Sequence, residues 1–163
     1  MLRELAFGEI VKKDCLMSKN GRGDWEVGAV TYYQKEEFTR LSEMVSVMLS
    51  SSGKKGLYER ECGYEKVLWV DTAHTPQSFQ TTAKQILKDA GIDEKKVPSI
   101  GKRLFAYSMR EVRCKDRMAQ LEAWIEAYKP ALVVVDCGSS FSVDDLRFIA
   151  ARYDCHVATM WRK

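Results

Sequence analysis

Two short apolar runs that both end in aspartate constrain the fold of this chain more than any other feature. Residues 66–71 read KVLWVD and residues 131–136 read ALVVVD. Runs of this length, rich in β-branched residues, are typical of strands buried on both faces of a parallel sheet. A helix-start signal follows each run, Thr75 before a proline in one case and Ser142 in the other. The sequence therefore predicts strand–helix units joined in one parallel sheet.

The rest of the chain supplies further elements of the same kind. We predict strands over 27–33, 103–107 and 156–161, a helix over 36–50, and a helix from Ser108, whose capping box with Glu111 opens it, to about Tyr128. Alternating strands and helices indicate one α/β domain over 25–163, with a mostly parallel sheet of about five strands flanked by helices. Residues 1–24 are predicted to form an irregular N-terminal arm, with an exposed loop over 18–24.

Length and composition exclude several classes of protein. The chain has 163 residues, 45% of them hydrophobic, and a formal net charge of +3, which is too small to imply a polyanionic partner by itself. No apolar run is long enough to span a bilayer, and no secretory signal opens the sequence, so we expect a cytoplasmic protein that makes no membrane contact. Five scattered cysteines and two histidines predict free thiols and no metal site.

The strand-ending acids are the candidates for chemistry, because parallel α/β sheets bind ligands at the carboxyl ends of their strands. Asp71 and Asp136 both lie there. Each carboxylate has two interpretations, as a magnesium ligand or as a cap of the following turn. Cys137 and the pair Ser139-Ser140 follow Asp136, but no base partner for a thiol and no G-x-S-x-G motif accompanies them. The sequence therefore predicts no catalytic residue.

Three stretches together resemble RecA-like ATPases, with the DnaB/RepA-type and mobile-element enzymes as the nearest relatives. Residues 66–75 (KVLWVDTAHT) are similar to a core strand of that family. Residues 128–136 (YKPALVVVD) resemble its Walker B strand, and 152–158 (RYDCHVA) resemble the helix-to-strand step that follows. The resemblance implies a RecA-like fold over about 25–161, with Asp136 as the Walker B acid that helps to hold magnesium.

The chain departs from that family at the phosphate loop, G-x-x-x-x-G-K-[ST], whose backbone N–H groups and lysine bind phosphates. Tyr32 and Glu37 stand where the two glycines would be, and Phe38 replaces the lysine; only Thr39 matches. Side chains at the glycine positions crowd a phosphate, and nearby carboxylates repel it. Lys35 is the one substitute cation in this stretch.

The catalytic acid of the family is missing too. RecA-like enzymes place a glutamate two residues after the strand-end acid to activate water, and this chain has Ala73 there. His74 follows, and a lone histidine in a turn is more often a capping or surface residue. Loss of both the phosphate loop and the glutamate predicts a RecA-like fold retained without its reaction.

Three functional hypotheses follow. The first is a non-hydrolysing RecA-like protein that has no cofactor and acts through protein–protein contacts, accessory to DNA replication, recombination or mobile-element functions as the resemblance implies. The second is an enzyme that binds ATP and Mg²⁺ through a degenerate nucleotide site of Lys35, Thr39, Asp71 and Asp136. The third is a DNA-binding accessory module.

The third hypothesis depends on the basic stretch 102–117, in which Arg110, Arg113 and Arg117 fall on one face of the predicted helix. Such a face is suited to a phosphate backbone or an acidic partner, although a solvated helix face has the same pattern. The sheet is also expected to be truncated at its C-terminal end, which would expose an edge. We therefore predict a homo-oligomer or a complex with a partner subunit.

Overall fold

The computed structural model describes residues 14–63, 65–93, 95, 102–136 and 140–161. Residue 161 is described by its backbone alone. Within these residues the elements in chain order are β1 (Cys15–Lys19), β2 (Arg22–Glu26), β3 (Val30–Gln34), a 3₁₀ turn (Lys35–Glu37), α1 (Phe38–Leu49), β4 (Lys54–Lys55), β5 (Tyr58–Arg60), β6 (Val67–Asp71), α2 (Pro76–Asp89), β7 (Leu104–Ser108), α3 (Cys114–Tyr128), β8 (Leu132–Asp136), α4 (Val143–Arg152) and β9 (His156–Trp161).

The strands form two sheets. Five of them make a parallel sheet in the order β3-β9-β8-β6-β7, and the other four make an antiparallel sheet in the order β2-β1-β5-β4. The prediction of an α/β fold with a five-stranded parallel sheet flanked by helices is thereby confirmed. None of the described helices is both long and apolar enough to cross a membrane.

Strands β6 and β8 occupy the middle of the parallel sheet and are buried on both faces, as their sequences predict. Because side chains alternate along a strand, Val67 and Trp69 of β6 face one core cluster, with α1 and α2, whereas Leu68 and Val70 face the other, with α3 and α4. All ten residues of the two strands are buried. The two helical layers are what make continuous apolar runs favourable here.

The antiparallel sheet joins the first of these clusters through Trp25 of β2. The indole Nε1–H of Trp25 donates a hydrogen bond to the hydroxyl of Tyr33 in β3 over 2.7 Å, and that hydroxyl lies 3.9 Å from the sulfur of Met44 in α1. Burial raises the pKa of Tyr33 to about 12, so its hydroxyl stays protonated. The polar atoms at this junction are therefore paired without water.

The helix-start signals of α2 and α4 are confirmed. The Thr75 side chain accepts a hydrogen bond from the Ser78 N–H, and Pro76 is the first helical residue. The Ser142 hydroxyl accepts a bond from the Asp145 N–H over 3.0 Å. Each cap satisfies one of the backbone donors that a helix leaves unpaired at its N-terminus.

The predicted start of α3 at Ser108 is wrong. The helix begins at Cys114, because Met109 is fully buried and its N–H donates to the Asp71 carbonyl over 2.7 Å, which extends the chain past the end of β7. A turn closed by the Val112 N–H and the Met109 carbonyl then precedes the helix. Burial of one apolar side chain thus displaces a plausible capping box.

The predicted loop over 18–24 is also wrong, since β1 and β2 form a hairpin there. Its turn is Asn20-Gly21, and both residues have positive φ, 52° and 79°. That geometry is typical of a type I′ turn, for which Asn-Gly is the preferred dipeptide. The sequence carried this signal, but no strand was predicted on either side of it.

The sequence analysis expected the sheet to have an exposed edge at its C-terminal end, but β9 does not lie at an edge. As the last strand of the described chain it lies inside the sheet, paired with β3 on one side and β8 on the other. The edges of the parallel sheet are β3 and β7 instead. Strand β9 is therefore not an open edge of the sheet.

Candidate functional site

Asp71 and Asp136 lie side by side at the carboxyl end of the parallel sheet. They are directly opposite each other in the register of β6 and β8, and both strands have the same alternation, so the two carboxylates project from the same face. Both residues are almost completely buried, with 0% and 2% of their surface exposed. The sequence predicted that both acids lie at this end, and the structure places them in contact range of one histidine.

That histidine is His74, in the turn between β6 and α2. Its Nδ1 lies 3.0 Å from Oδ1 of Asp71 and 3.4 Å from Oδ2 of Asp136. The side chain is 31% exposed, so it closes the acid pair from the solvent side. His74 is therefore a third member of the site.

Backbone N–H groups fix the Asp71 carboxylate in place. The Ala73 N–H donates to Oδ1 over 3.1 Å, and the His74 N–H donates to Oδ2 over 3.0 Å. The turn interpretation of Asp71 is thus confirmed, because the carboxylate caps the turn that follows its strand. After these two backbone bonds, both oxygens of Asp71 keep further lone pairs, since a carboxylate accepts at about four positions.

The other two members of the predicted nucleotide site lie farther away. Lys35 is in the 3₁₀ turn after β3 and Thr39 is in the first turn of α1, and both side chains are exposed. Strand β9 separates β3 from β8, so the end of β3 is about 10 Å from Asp136 at the usual strand spacing. The structure therefore brings Asp71 and Asp136 together but does not bring Lys35 and Thr39 to them.

The segment that replaces a phosphate loop is a packed turn. The Glu37 carboxylate accepts a hydrogen bond from the Gln34 N–H over 3.1 Å, and it lies 3.5 Å from the Arg40 guanidinium. Phe38, at the position of the phosphate-binding lysine, packs edge-on against Trp69, with 6.2 Å between ring centroids. A carboxylate and an aromatic ring thus occupy this segment in place of donors for an anion.

The three arginines singled out in the sequence do not share a helical face, because Arg110 and Arg113 precede α3. Arg117 is tied to the loops on either side of it, donating to the Val112 carbonyl over 2.9 Å and to the Ser140 hydroxyl. Arg110 is exposed and lines a crevice of about 310 Å³ with Pro76 and Ser108. A nucleic-acid or partner contact through these arginines stays a prediction, without the shared face on which it was based.

Two larger crevices lie elsewhere, one at the amino ends of β6 and β8 and the other along the antiparallel sheet. One of about 560 Å³ and another of about 780 Å³ share Leu16, Val27 and Cys62 as lining residues. Neither includes a residue of the Asp71–His74–Asp136 group. Cys137 and Ser139, considered in the sequence, lie outside the described residues.

His74 is the functional candidate that sequence reasoning treated as an ordinary turn residue. Its spacing of three residues from Asp71 was visible, but its approach to Asp136 depends on the pairing of β6 with β8, which no local pattern reveals. Compared with known proteins, the chain matches no family model and no curated protein sequence.

Proposed function

We propose that this chain is a RecA-like domain that does not hydrolyse nucleotide and acts through contacts with another protein or with a second copy of itself. The observation that carries the proposal is the packed turn after β3. Phe38 lies against Trp69 and the Glu37 carboxylate caps Gln34, where a phosphate loop would present a lysine and free backbone N–H groups. Apart from the exposed Lys35, the side chains described in that turn present carboxylates and an aromatic ring, which do not suit the charges of a triphosphate.

The residue beside the acid pair supports the same proposal. Ala73 stands where the resemblance expects a glutamate that activates water, and its methyl group cannot accept a proton. Nδ1 of His74, the next residue, is directed at the two carboxylates. The proposal therefore rests on two separate departures from the chemistry of a hydrolase.

One observation favours a second candidate, an ATP–Mg²⁺-binding protein with a non-standard phosphate site. The contact between Asp71 and Asp136 through His74 provides carboxylate oxygens at the carboxyl end of the sheet, which is where a magnesium nucleotide would be held. Lys35 and Thr39 would then have to reach that nucleotide from the end of β3.

Calorimetric titration with ATP separates the two candidates. We expect no saturable heat up to millimolar ATP, with or without Mg²⁺, and no phosphate release in a hydrolysis assay. Titration with Mg²⁺ alone is the control for heat that comes from the cation. Saturable, Mg²⁺-dependent binding of ATP that Asp136→Ala weakens would overturn the non-hydrolysing proposal in favour of the nucleotide-binding one. Sedimentation velocity on the same sample measures the self-association that the proposal allows.

A further inference from the structure

The side chains of Asp71, His74 and Asp136 form a group in which one ligand atom from each lies within 4.8 Å of the others. We propose that this group binds a divalent cation of the first transition-metal row directly, without nucleotide. The ligand atoms would be Oδ1 of Asp71, Nδ1 of His74 and Oδ2 of Asp136. The proposal departs from the sequence-based prediction of no metal site, and it is independent of whether the chain binds ATP.

The distances are those of ligands around one cation. In an octahedron with metal–ligand bonds of about 2.1 Å, neighbouring ligand atoms are about 3.0 Å apart, and in a tetrahedron with bonds of about 2.05 Å they are about 3.3 Å apart. The two distances from Nδ1 of His74 are 3.0 Å and 3.4 Å. Each oxygen is therefore already spaced from the nitrogen as neighbouring ligands of one cation are, and all three atoms lie within 4.8 Å of one another.

Nδ1 of His74 can carry only one hydrogen, which favours a shared cation over a shared hydrogen bond between the three side chains. A histidine carries at most one hydrogen on Nδ1, so a hydrogen bond to both carboxylates would be a three-centre bond with a less linear angle to each. A cation between the three groups would accept the Nδ1 lone pair and an oxygen from each aspartate at the same time. Neutral imidazole and ionised carboxylate are the forms that bind metal.

The chain also orients and buries these ligands. The backbone N–H groups of Ala73 and His74 fix the plane of the Asp71 carboxylate, as outer hydrogen bonds do in metal sites. The Asp136 backbone is fixed by its strand and by the Thr72 N–H, which donates to its carbonyl over 3.3 Å. A divalent cation strongly stabilises the ionised form of carboxylates that, like these two, have almost no exposed surface.

The mixed donor set selects the class of cation. Carboxylates suit Mg²⁺, Ca²⁺ and Mn²⁺, while imidazole suits Zn²⁺, Fe²⁺ and related ions, so two oxygens with one nitrogen favour Mn²⁺ or Zn²⁺ over Mg²⁺. Three protein ligands leave at least one position for water or a further ligand. His74, at 31% exposure, places that open position at the solvent side of the group.

Mn²⁺ is the better probe for the test, because the free thiols of this chain would also attract Zn²⁺. Chelator-treated protein is titrated with Mn²⁺, and the loss of the free-ion electron paramagnetic resonance signal measures binding. We expect one Mn²⁺ per chain in the wild type, and binding at least about tenfold weaker in His74→Gln and in Asp136→Asn, since even outer-shell losses cost about 10–100-fold.

Asp144→Asn is the matched control, because Asp144 is an exposed aspartate in the first turn of α4. We expect this variant to bind Mn²⁺ as tightly as the wild type. If the buried Asp136→Asn variant fails to fold, His74→Gln still tests the proposal, since His74 lies in a partly exposed turn. Absence of Mn²⁺ binding by the wild type, or equal binding by the wild type and both ligand variants, would overturn the proposal. So would equal losses of Mn²⁺ and Mg²⁺ affinity in His74→Gln, because the nitrogen would then contribute no preference. The proposed function fails by a different result, saturable ATP binding.

Discussion

The second histidine of the chain, His156, is buried in the fold as a neutral side chain. Its Nδ1 is 2.7 Å from the Glu26 carbonyl, which can only accept, so Nδ1 carries the hydrogen. Nε2 is then the acceptor in neutral imidazole, and it takes the Thr31 hydroxyl hydrogen over 2.8 Å. The ring also stacks on Trp25 at 6.0 Å. Burial lowers the pKa of His156, because charging the ring would require removing the charge from water.

A pH dependence of stability follows from this lowered pKa. Below about pH 6.5 the unfolded chain binds a proton on His156 that the folded chain excludes. The contribution to stability is therefore complete above about pH 6.5 and is lost as the pH falls towards the lowered folded pKa, by at most about 1.4 kcal/mol per pH unit. Urea unfolding at a series of pH values measures it.

His156→Gln is the matched variant, because glutamine keeps a donor for the Glu26 carbonyl but does not titrate. We expect a shallower pH dependence in this variant between about pH 7 and about pH 5, where histidine is the side chain that ordinarily titrates. Equal slopes for both proteins would show that His156 does not carry the effect.

At the scale of the elements, two arginines from outside α1 satisfy the carbonyls at its C-terminal end. Arg103 donates to the carbonyls of Met48 and Leu49 over 2.7 and 2.8 Å, and also to the carbonyl of Glu65. Arg60 donates to the Met48 and Ser50 carbonyls. Positive charge at this end is favourable because the helix dipole is negative there. The last turn of α1 is therefore fixed by Arg60, the last residue of β5, and by Arg103, which directly precedes β7.

Arg103→Met should destabilise the fold by about 2 kcal/mol or more, because it leaves charge-assisted bonds to several carbonyls unmade. Arg103→Lys should recover only part of the loss, since an ammonium group cannot span the same carbonyls as a planar guanidinium. Chemical denaturation measures both. Arg147→Met, at an exposed position on α4, serves as the control and should stay within about 0.5 kcal/mol of the wild type. A similar loss in both Met variants would contradict a capping role for Arg103.

At the scale of the whole molecule, the antiparallel sheet and the parallel sheet share one core. Met17 of β1 and Trp25 of β2 lie in the same cluster as Trp69 of β6 and Leu41 of α1, and each is buried. A core that both sheets complete together should unfold as one cooperative unit. Residues 15–26 thus belong to the fold and are not a detachable arm.

Met17→Ala tests that cooperativity. Truncating this fully buried side chain should cost about 2–5 kcal/mol. If the sheets unfold together, hydrogen exchange should show the same loss of protection for amides of β6 and β8 as for those of β1. Met160→Ala, in β9, is the comparison from the parallel sheet and should give the same pattern. Undiminished protection of β8 in Met17→Ala would mean that the small sheet opens separately.

How far the sequence predicts this fold depends on how local the signals are. The runs that became β6 and β8 and the caps at Thr75 and Ser142 are local, and each was predicted within a residue or two. The Asn20-Gly21 turn is equally local, but the strands beside it, CLMSK and RGDWE, are short and do not alternate between apolar and polar residues, so periodicity did not reveal them. The start of α3 depends on Met109 reaching the core, which is a tertiary effect that overrides a capping signal.

The candidate site shows the same division. That Asp71 and Asp136 lie at the carboxyl end of the sheet follows from their places after apolar strands. Their adjacency depends on β6 and β8 being neighbours, a consequence of strand order across the whole sheet. The third member, His74, could not be assigned before that order was known, because its distance to Asp136 joins residues far apart in the sequence.

The place of β9 between β3 and β8 has a consequence for how the chain assembles. β3 is synthesised well before β9, yet β9, the last strand of the described chain, is its partner in the parallel sheet. Closing so long a loop is entropically costly and slow, as it is for other non-local pairings. Until β9 arrives, β8 presents an unpaired edge to any chain nearby. We therefore expect the newly synthesised chain to be most exposed to misassembly in the interval before β9 pairs with β3 and β8.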